Sequence, residues 1–360
     1  MPLSGSAPLT VTIQFNLNSL ISFKEVDETV SIIGVMTLNW IDPALTWNPL
    51  SYNNVSKIII DPFDLWLPPI FLMNGVEKME SIGSDTLIYT TVILNGQVYY
   101  SPGAVLQGKC PASIARFPFD TKECTFSFLP WGITNDSLEL SSLYEHARLD
   151  WYTPNSDWIL QEYSTNVGHK TVDSYSYDMF YLKITVKRQS LYYAVMIILP
   201  TFVFALLNPL VFILPVESGE RISLAVTMLL SYTIFLTIVS ESIPVSSNPM
   251  CGLLIVMITI IVVSCLIVSC VIIGSRYANM DNFGEVSTIV KRLTKWFIQK
   301  RNNAISKKIM PLPEVNGKSY TSDINVTGKD VAASLDIIFL SIFYMTICIC
   351  FFTYFLYVVI

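Results

Sequence analysis

The chain has 360 residues, 52% hydrophobic and only 14% charged, with a net charge of −6. That is less charge than an ordinary soluble domain carries, and no basic patch for a nucleic-acid partner is present. The sequence also lacks a Gly-rich phosphate loop, a metal-spaced Cys/His set and a nucleophile–base constellation. No catalytic residue, cofactor or metal ligand is therefore expected, and the chain does not read as an enzyme.

The apolar excess is unevenly spread. Residues 1–190 contain 11 Lys/Arg and 19 Asp/Glu and read as a soluble acidic domain, whereas Arg221 is the only basic residue from 189 to 275. In the first part, alternating or β-branched runs at 11–15, 30–40, 86–94, 97–100, 124–129 and 179–186 predict antiparallel strands. Asn95-Gly96 between two of them predicts a hairpin turn. Short strands around one core predict a β-sandwich. His146 and His169, the only histidines, read as surface or turn residues.

Cys110 and Cys124 bracket thirteen residues and are the only cysteines of this part. An even pair in an exposed compartment is expected to be oxidised, and closing so short a loop contributes about 3 kcal/mol. Asn54 and Asn135 open Asn-X-Ser sequons and are candidate glycosylation sites.

Four apolar segments, at about 191–214, 220–243, 250–274 and 335–360, each approach or exceed the ~20 residues that a spanning helix needs. Pro200 is expected to kink the first. Residues 275–331 carry 10 Lys/Arg against 5 Asp/Glu, so the positive-inside rule places the segment 276–331 in the cytoplasm. Residues 1–190 and the C-terminus then lie outside a multi-pass plasma-membrane protein whose transmembrane domain is 191–360.

The second segment differs from the other three. Steps of three and four put Glu220, Ser223, Thr227, Leu230, Ile234, Ile238 and Glu241 on one helix face, running acid, hydroxyl, apolar, acid. A packed span whose hydroxyls satisfy their own backbone is the alternative for Ser223 and Thr227. It leaves the carboxylate at each end of the stripe unexplained. Arg221 lies about 100° around the helix from Glu220 and is expected against a neighbouring element.

Cys110, Phe117-Pro118-Phe119-Asp120 and Cys124 together resemble the signature loop of the Cys-loop receptors, the pentameric ligand-gated ion channels. Trp66-Leu67-Pro68, Trp131 seven residues beyond Cys124, and the four spans extend the resemblance over nearly the whole chain. It implies an extracellular antiparallel β-sandwich, residues 1–190, followed by a four-helix transmembrane domain in a ring-shaped pentamer. The implied partners are four further identical subunits, membrane lipid, monovalent cations and a small extracellular ligand.

Gly219-Glu220 before Arg221 is similar to the cation-selective nicotinic-type members, where anion-selective members carry Pro-Ala. On that reading Glu217 and Glu220 form carboxylate rings at the inner mouth and Glu241 at the outer one. Ser223 and Thr227 offer oxygens to the ion, Leu230 and Ile234 close the pore by dewetting, and Ile238 lines it beyond them.

The resemblance also implies a ligand cage between subunits, with Trp131 on the principal face and Tyr177 on a capping hairpin, partnered by Tyr163 or Tyr175. Thr91, Tyr99 and Ser101 complete the complementary wall. Met73 stands in place of the usual tyrosine, Pro69 in place of an aspartate and Val35 in place of a tryptophan. The hairpin at 163–181 has no cysteine pair. Coupling of binding to the pore is assigned to Glu28, Phe119, Arg188 and Pro244, with Glu28 and Arg188 expected as a partly buried ion pair. An anion-selective or accessory subunit, or a non-conducting surface receptor, is the alternative function.

Overall fold

The computed structural model describes residues 1–2, 7–76, 79–84, 87–111, 113–216, 219–241, 243, 249–279, 292, 294, 296 and 328–359. Glu217 and Pro244 fall outside these residues. The chain divides into two compact units, residues 1–190 with 243–249, and residues 191–242 with 250–360.

The first unit is built from two β-sheets. Its first strand, β1 (Leu9–Lys24), buries Leu9, Val11, Ile13, Phe15 and Leu17 on one face, the period of two that a half-buried strand requires. It pairs antiparallel with β2 (Thr29–Thr46), and the seven-stranded sheet runs β3-β5-β6-β2-β1-β9, with β7 also on β2. Its other members are β3 (Lys57–Ile60), β5 (Thr90–Ile93), β6 (Asn95–Tyr100), β7 (Gly103–Lys109) and β9 (Leu138–Ser142). The second sheet orders β10 (Trp158–Val172), β11 (Tyr175–Arg188), β8 (Thr121–Pro130) and β4 (Ile70–Leu72). Phe15, Ile32, Met36 and Leu38 of the first sheet share one core with Phe126, Phe128, Phe180 and Leu182 of the second.

Left-handed backbone recurs in the turns. The chain reverses from β5 through Leu94 into Asn95-Gly96, the first residues of β6, and Gly96 has φ +81° with an added Cβ meeting the Asp42 carbonyl at 2.3 Å, so glycine is required there. Asp173 and Ser174, with φ 49° and 75°, form the two-residue turn between β10 and β11. Positive φ at both positions matches the twist of the flanking strands.

Among the described residues, the second unit contains four helices long and apolar enough to cross a membrane: α1 (Leu191–Ile213), α2 (Glu220–Glu241), α3 (Gly252–Ala278) and α4 (Gly328–Val359). α4 starts at Gly328, ahead of the expected 335, because Lys329 and Asp330 form a polar first turn that hydropathy does not register. α1 is irregular. A π-helical stretch, Ala194–Ile198, precedes Pro200, and the last part, Asn208–Ile213, is a 3-10 helix. The missing Pro200 N–H is absorbed by this change of winding.

Val211, Phe212, Ala225, Val263, Ile267, Val271 and Phe343 form a core from all four helices. Phe212 stacks on Phe343 at 5.8 Å, and the Asn208 amide donates to the Ser264 hydroxyl inside the bundle.

Candidate functional site

Helix α2 has two faces of opposite fate. Arg221, Ala225, Tyr232 and Val239 are buried against the other helices. Glu220, Ser223, Thr227, Leu230, Ile234, Ile238 and Glu241 are all exposed, and the three apolar members are 59%, 54% and 60% accessible. A helix that buries only one stripe within its own bundle leaves the other for water, lipid or another chain. Thr227 Oγ1 donates to the Ser223 carbonyl at 2.8 Å, so its proton is spent on the backbone and its lone pairs remain available.

Arg221, turned away from the stripe, meets Asp336 of α4. Two hydrogen bonds join them, Nη1 to Oδ2 at 3.0 Å and Nη2 to Oδ1, and the guanidinium lies 5.4 Å from the Phe212 ring centre. A charge inside a helix bundle requires such a partner. Asp336 was not singled out from sequence. The only signal was a lone carboxylate inside a span.

Trp131 is 52% exposed and is therefore not a core tryptophan. Its backbone N–H donates to the Pro69 carbonyl at 2.9 Å, and its ring lies 6.1 Å from Phe71, an aromatic that sequence reasoning missed. Met73 follows β4, with its N–H on the Ser127 carbonyl. The Asn135 N–H donates to the Ser176 carbonyl at 3.0 Å, which ties the loop after Trp131 to the β10–β11 hairpin between exposed Tyr175 and half-buried Tyr177.

Tyr163 does not belong to this cluster. It pairs with Ile184, whereas Tyr177 pairs with Lys170, seven rungs nearer the tip, about 23 Å at 3.3 Å per residue. Its ring packs on His146, 6.0 Å away, and against the sandwich core.

Val35, Thr91 and Tyr99 are half-exposed and Ser101 is exposed, on the opposite side of the first sheet from buried Met36, Val92, Val98 and Tyr100. Thr91 pairs directly with Tyr99, and the Ser101 hydroxyl lies 3.1 Å from that of Thr37. Val35, opposite Gly103, lines a cavity of about 500 Å³ with Ile33, Val105 and Glu80. This set and the Trp131 cluster belong to different sheets of the sandwich.

The Cys110–Cys124 disulfide is formed, and Phe119 at its loop is 42% exposed. Arg188 pairs with Asp120 and Glu25, not with Glu28. Its Nε reaches Asp120 Oδ1 at 2.7 Å and its Nη2 reaches Glu25 Oε2 at 2.6 Å. Glu28 sits at positive φ in the turn before β2 with its side chain outward, while its carbonyl accepts the Cys110 N–H. Glu25, at the start of that turn, faces inward instead.

Lys122, also buried, adds a second cation 2.6 Å from Asp120 and donates to the Ser113 carbonyl. Burial alone would raise the Asp120 carboxyl, but the Arg188 hydrogen bond and charge, then Lys122, outweigh it and hold the group below the usual carboxylate range. Burial works against the Arg188 charge too, yet Asp120 and Glu25 push the guanidinium above its ordinary value. Of the two candidate glycosylation sites, Asn54 is exposed and Asn135 half-exposed.

Family models match both parts of the chain. Residues 1–190 match the neurotransmitter-gated ion-channel ligand binding domain, and residues 197–308 match the neurotransmitter-gated ion-channel transmembrane region. Among curated proteins, the neuronal acetylcholine receptor subunit beta-2 of Gallus gallus is 29% identical over 68% of this chain and 49% of its own length. Acetylcholine receptor subunit alpha-1-B of Xenopus laevis is 31% identical over 68% of this chain and 54% of its own. The chain spans about half the length of the curated relatives it matches.

Proposed function

Because the chain belongs to the neurotransmitter-gated ion-channel family, we propose that it is a subunit of a ligand-gated channel that conducts cations. It works at the plasma membrane, with the sandwich and the C-terminus outside and 276–331 inside. Five copies around an axis turn the outward stripe of α2 into rings. Glu220 and Glu241 concentrate cations at the two mouths, Ser223 and Thr227 replace part of the ion's hydration, and Leu230 and Ile234 empty the closed pore of water.

The observation that supports this most directly is the exposure of the whole stripe while the opposite face of the same helix is buried.

The ligand is a small molecule held between neighbouring subunits. Trp131, Phe71, Tyr175 and Tyr177 form the principal side, and Val35, Thr91, Tyr99 and Ser101 of the next subunit form the other. The separation of these two sets onto different sheets supports a site shared between copies. The relatives are named as acetylcholine receptors; Met73, Pro69, Val35 and the cysteine-free hairpin give this chain a different cage. The contacts of Arg188 with Glu25 and Asp120 hold the disulfide loop rigid, so that Phe119 is presented firmly to its neighbours.

The test is a reversal-potential measurement on the expressed clone, activated by a panel of amines, amino acids and neutral ligands. The potential is expected to follow sodium, and Glu220→Gln to weaken that dependence. Movement with chloride would overturn the cation assignment.

A further inference from the structure

The β10–β11 hairpin projects from the sandwich. Residues 169–175 are all exposed, and Asp178 is the first buried residue on the returning strand. Two hydrogen bonds fasten its base to the body of the domain. One is the Asn135 N–H to the Ser176 carbonyl at 3.0 Å. In the other, the Leu140 N–H of β9 donates to Asp178 Oδ2 at 2.9 Å. Since β9 belongs to the first sheet and β11 to the second, Asp178 joins the two sheets directly beneath the hairpin.

A carboxylate shut away from water needs donors for its charge. The Asp178 side chain has no exposed surface, and its second oxygen meets His169 Nδ1 at 2.7 Å from the opposite rung of the same hairpin. The His169 ring is itself 67% exposed, so it reaches solvent while its Nδ1 meets a buried carboxyl. Neither residue belongs to the aromatic cluster or to the disulfide loop.

We propose that His169 is a positioning residue of the capping hairpin, a clasp that seats Asp178 on β9 and tightens when the imidazole is protonated. A neutral ring donates one hydrogen bond from Nδ1. A charged ring makes the same bond charge-assisted, and such bonds are shorter and stronger. Histidine is the side-chain type whose charge is most readily changed near neutral pH, so acidification is the perturbation that tests the clasp.

Ionisable groups near the pair along these elements include Lys170 on β10, Asp173 in the turn, Tyr175, Tyr177 and Tyr181 on β11, Glu139 on β9, and Glu145 and His146 in the segment before β10; Glu162, Tyr163, Lys183, Lys187 and Arg188 lie farther down the same two strands. A hairpin already held in place loses less freedom on capturing a ligand, so the clasp favours capture. This consequence rests on the proposed reading of the hairpin as the ligand cap.

Hydrogen exchange on the intact solubilised protein, without added ligand, tests the clasp. Amide protection is followed over 138–142 and 168–178 near pH 5.5 and 7.5, with rates normalised to unstructured peptides. The wild type is expected to gain about 3-fold protection at the lower pH, the effect of strengthening one half-exposed bond by under 1 kcal/mol. His169→Ala should lose protection at both pH values. His169→Asn, whose amide nitrogen can take the place of Nδ1 but cannot be charged, should restore the higher-pH protection and show no gain on acidification. Protection unchanged in His169→Ala, or a pH response surviving in His169→Asn, would overturn the proposal. With no ligand in the measurement, failure of the clasp is distinguishable from failure of the channel reading.

Discussion

Asp120→Asn keeps the size and shape of the side chain but removes a charge that two buried cations share. Arg188 and Lys122 are 3% and 1% exposed and lie 2.7 and 2.6 Å from the Asp120 oxygens. Glu25 still neutralises one cation in the variant; the other is left buried without a counter-charge. Breaking a buried pair in this way costs about 3–5 kcal/mol. In a domain of this size each kcal/mol is worth roughly 2–4 °C, so the outer unit should melt about 10 °C lower.

The sign of the pH dependence follows from the lowered Asp120 carboxyl. A carboxyl whose value falls on folding contributes stability that is full above its unfolded value, about 4, and is lost as pH drops through the folded one. The gap between wild type and variant should therefore be complete at neutral pH and begin to narrow below about pH 4, closing only as the pH passes below the lowered folded value. Tryptophan fluorescence of the intact protein during heating reads this directly, since the Trp158 ring lies 4.3 Å from the Arg188 guanidinium. A variant melting within about 2 °C of wild type at neutral pH, or a gap that does not narrow as pH falls below about 4, would refute the argument.

Leu230→Ser puts a hydroxyl into the proposed apolar waist and should leave the channel conducting without agonist; unchanged resting conductance in voltage clamp would remove Leu230 from the gate. Asp336→Leu strands Arg221 among Phe212 and its neighbours and should lower surface expression and thermal stability by about 3–5 kcal/mol. The pair Arg221→Met with Asp336→Leu should recover most of that loss in the same assays, because no charge is then left unpaired. Trp131→Ala should raise the half-maximal agonist concentration by about 10-fold or more, whereas Tyr163→Phe should leave it unchanged in concentration–response curves, since Tyr163 is about 23 Å along the ladder from Tyr177.

Strands that bury one face were the legible ones. β1, β2, β8 and β11 alternate between core and surface, and their runs at 11–15, 30–40, 124–129 and 179–186 all fall within them. β10 was missed because it ends the strand order of its sheet, met on its outer side among the described residues only by a short bridge between His146 and Ser164, so most of its residues face solvent and no alternation is imposed on them. The expected Glu28–Arg188 ion pair is not formed, for a related reason. Glu25 and Glu28 bracket one tight turn and are chemically interchangeable on paper; only the backbone path, with Glu28 at φ 51°, decides which carboxylate points inward.

Local order along the chain determined the exposed stripe of α2. Once residues 220–241 form a helix, a 3.6-residue period places Glu220, Thr227, Leu230 and Glu241 on one face whatever surrounds them. The disulfide loop was equally local, being closed by two cysteines and a short intervening motif. Tertiary structure decided every contact between residues distant in sequence: Arg221 with Asp336, Arg188 with Glu25, Asp178 with the Leu140 amide, Trp131 beside Phe71. A buried charge must find a counter-charge, but which one it meets depends on the register of strands and the rotation of packed helices, and these are set by the core as a whole.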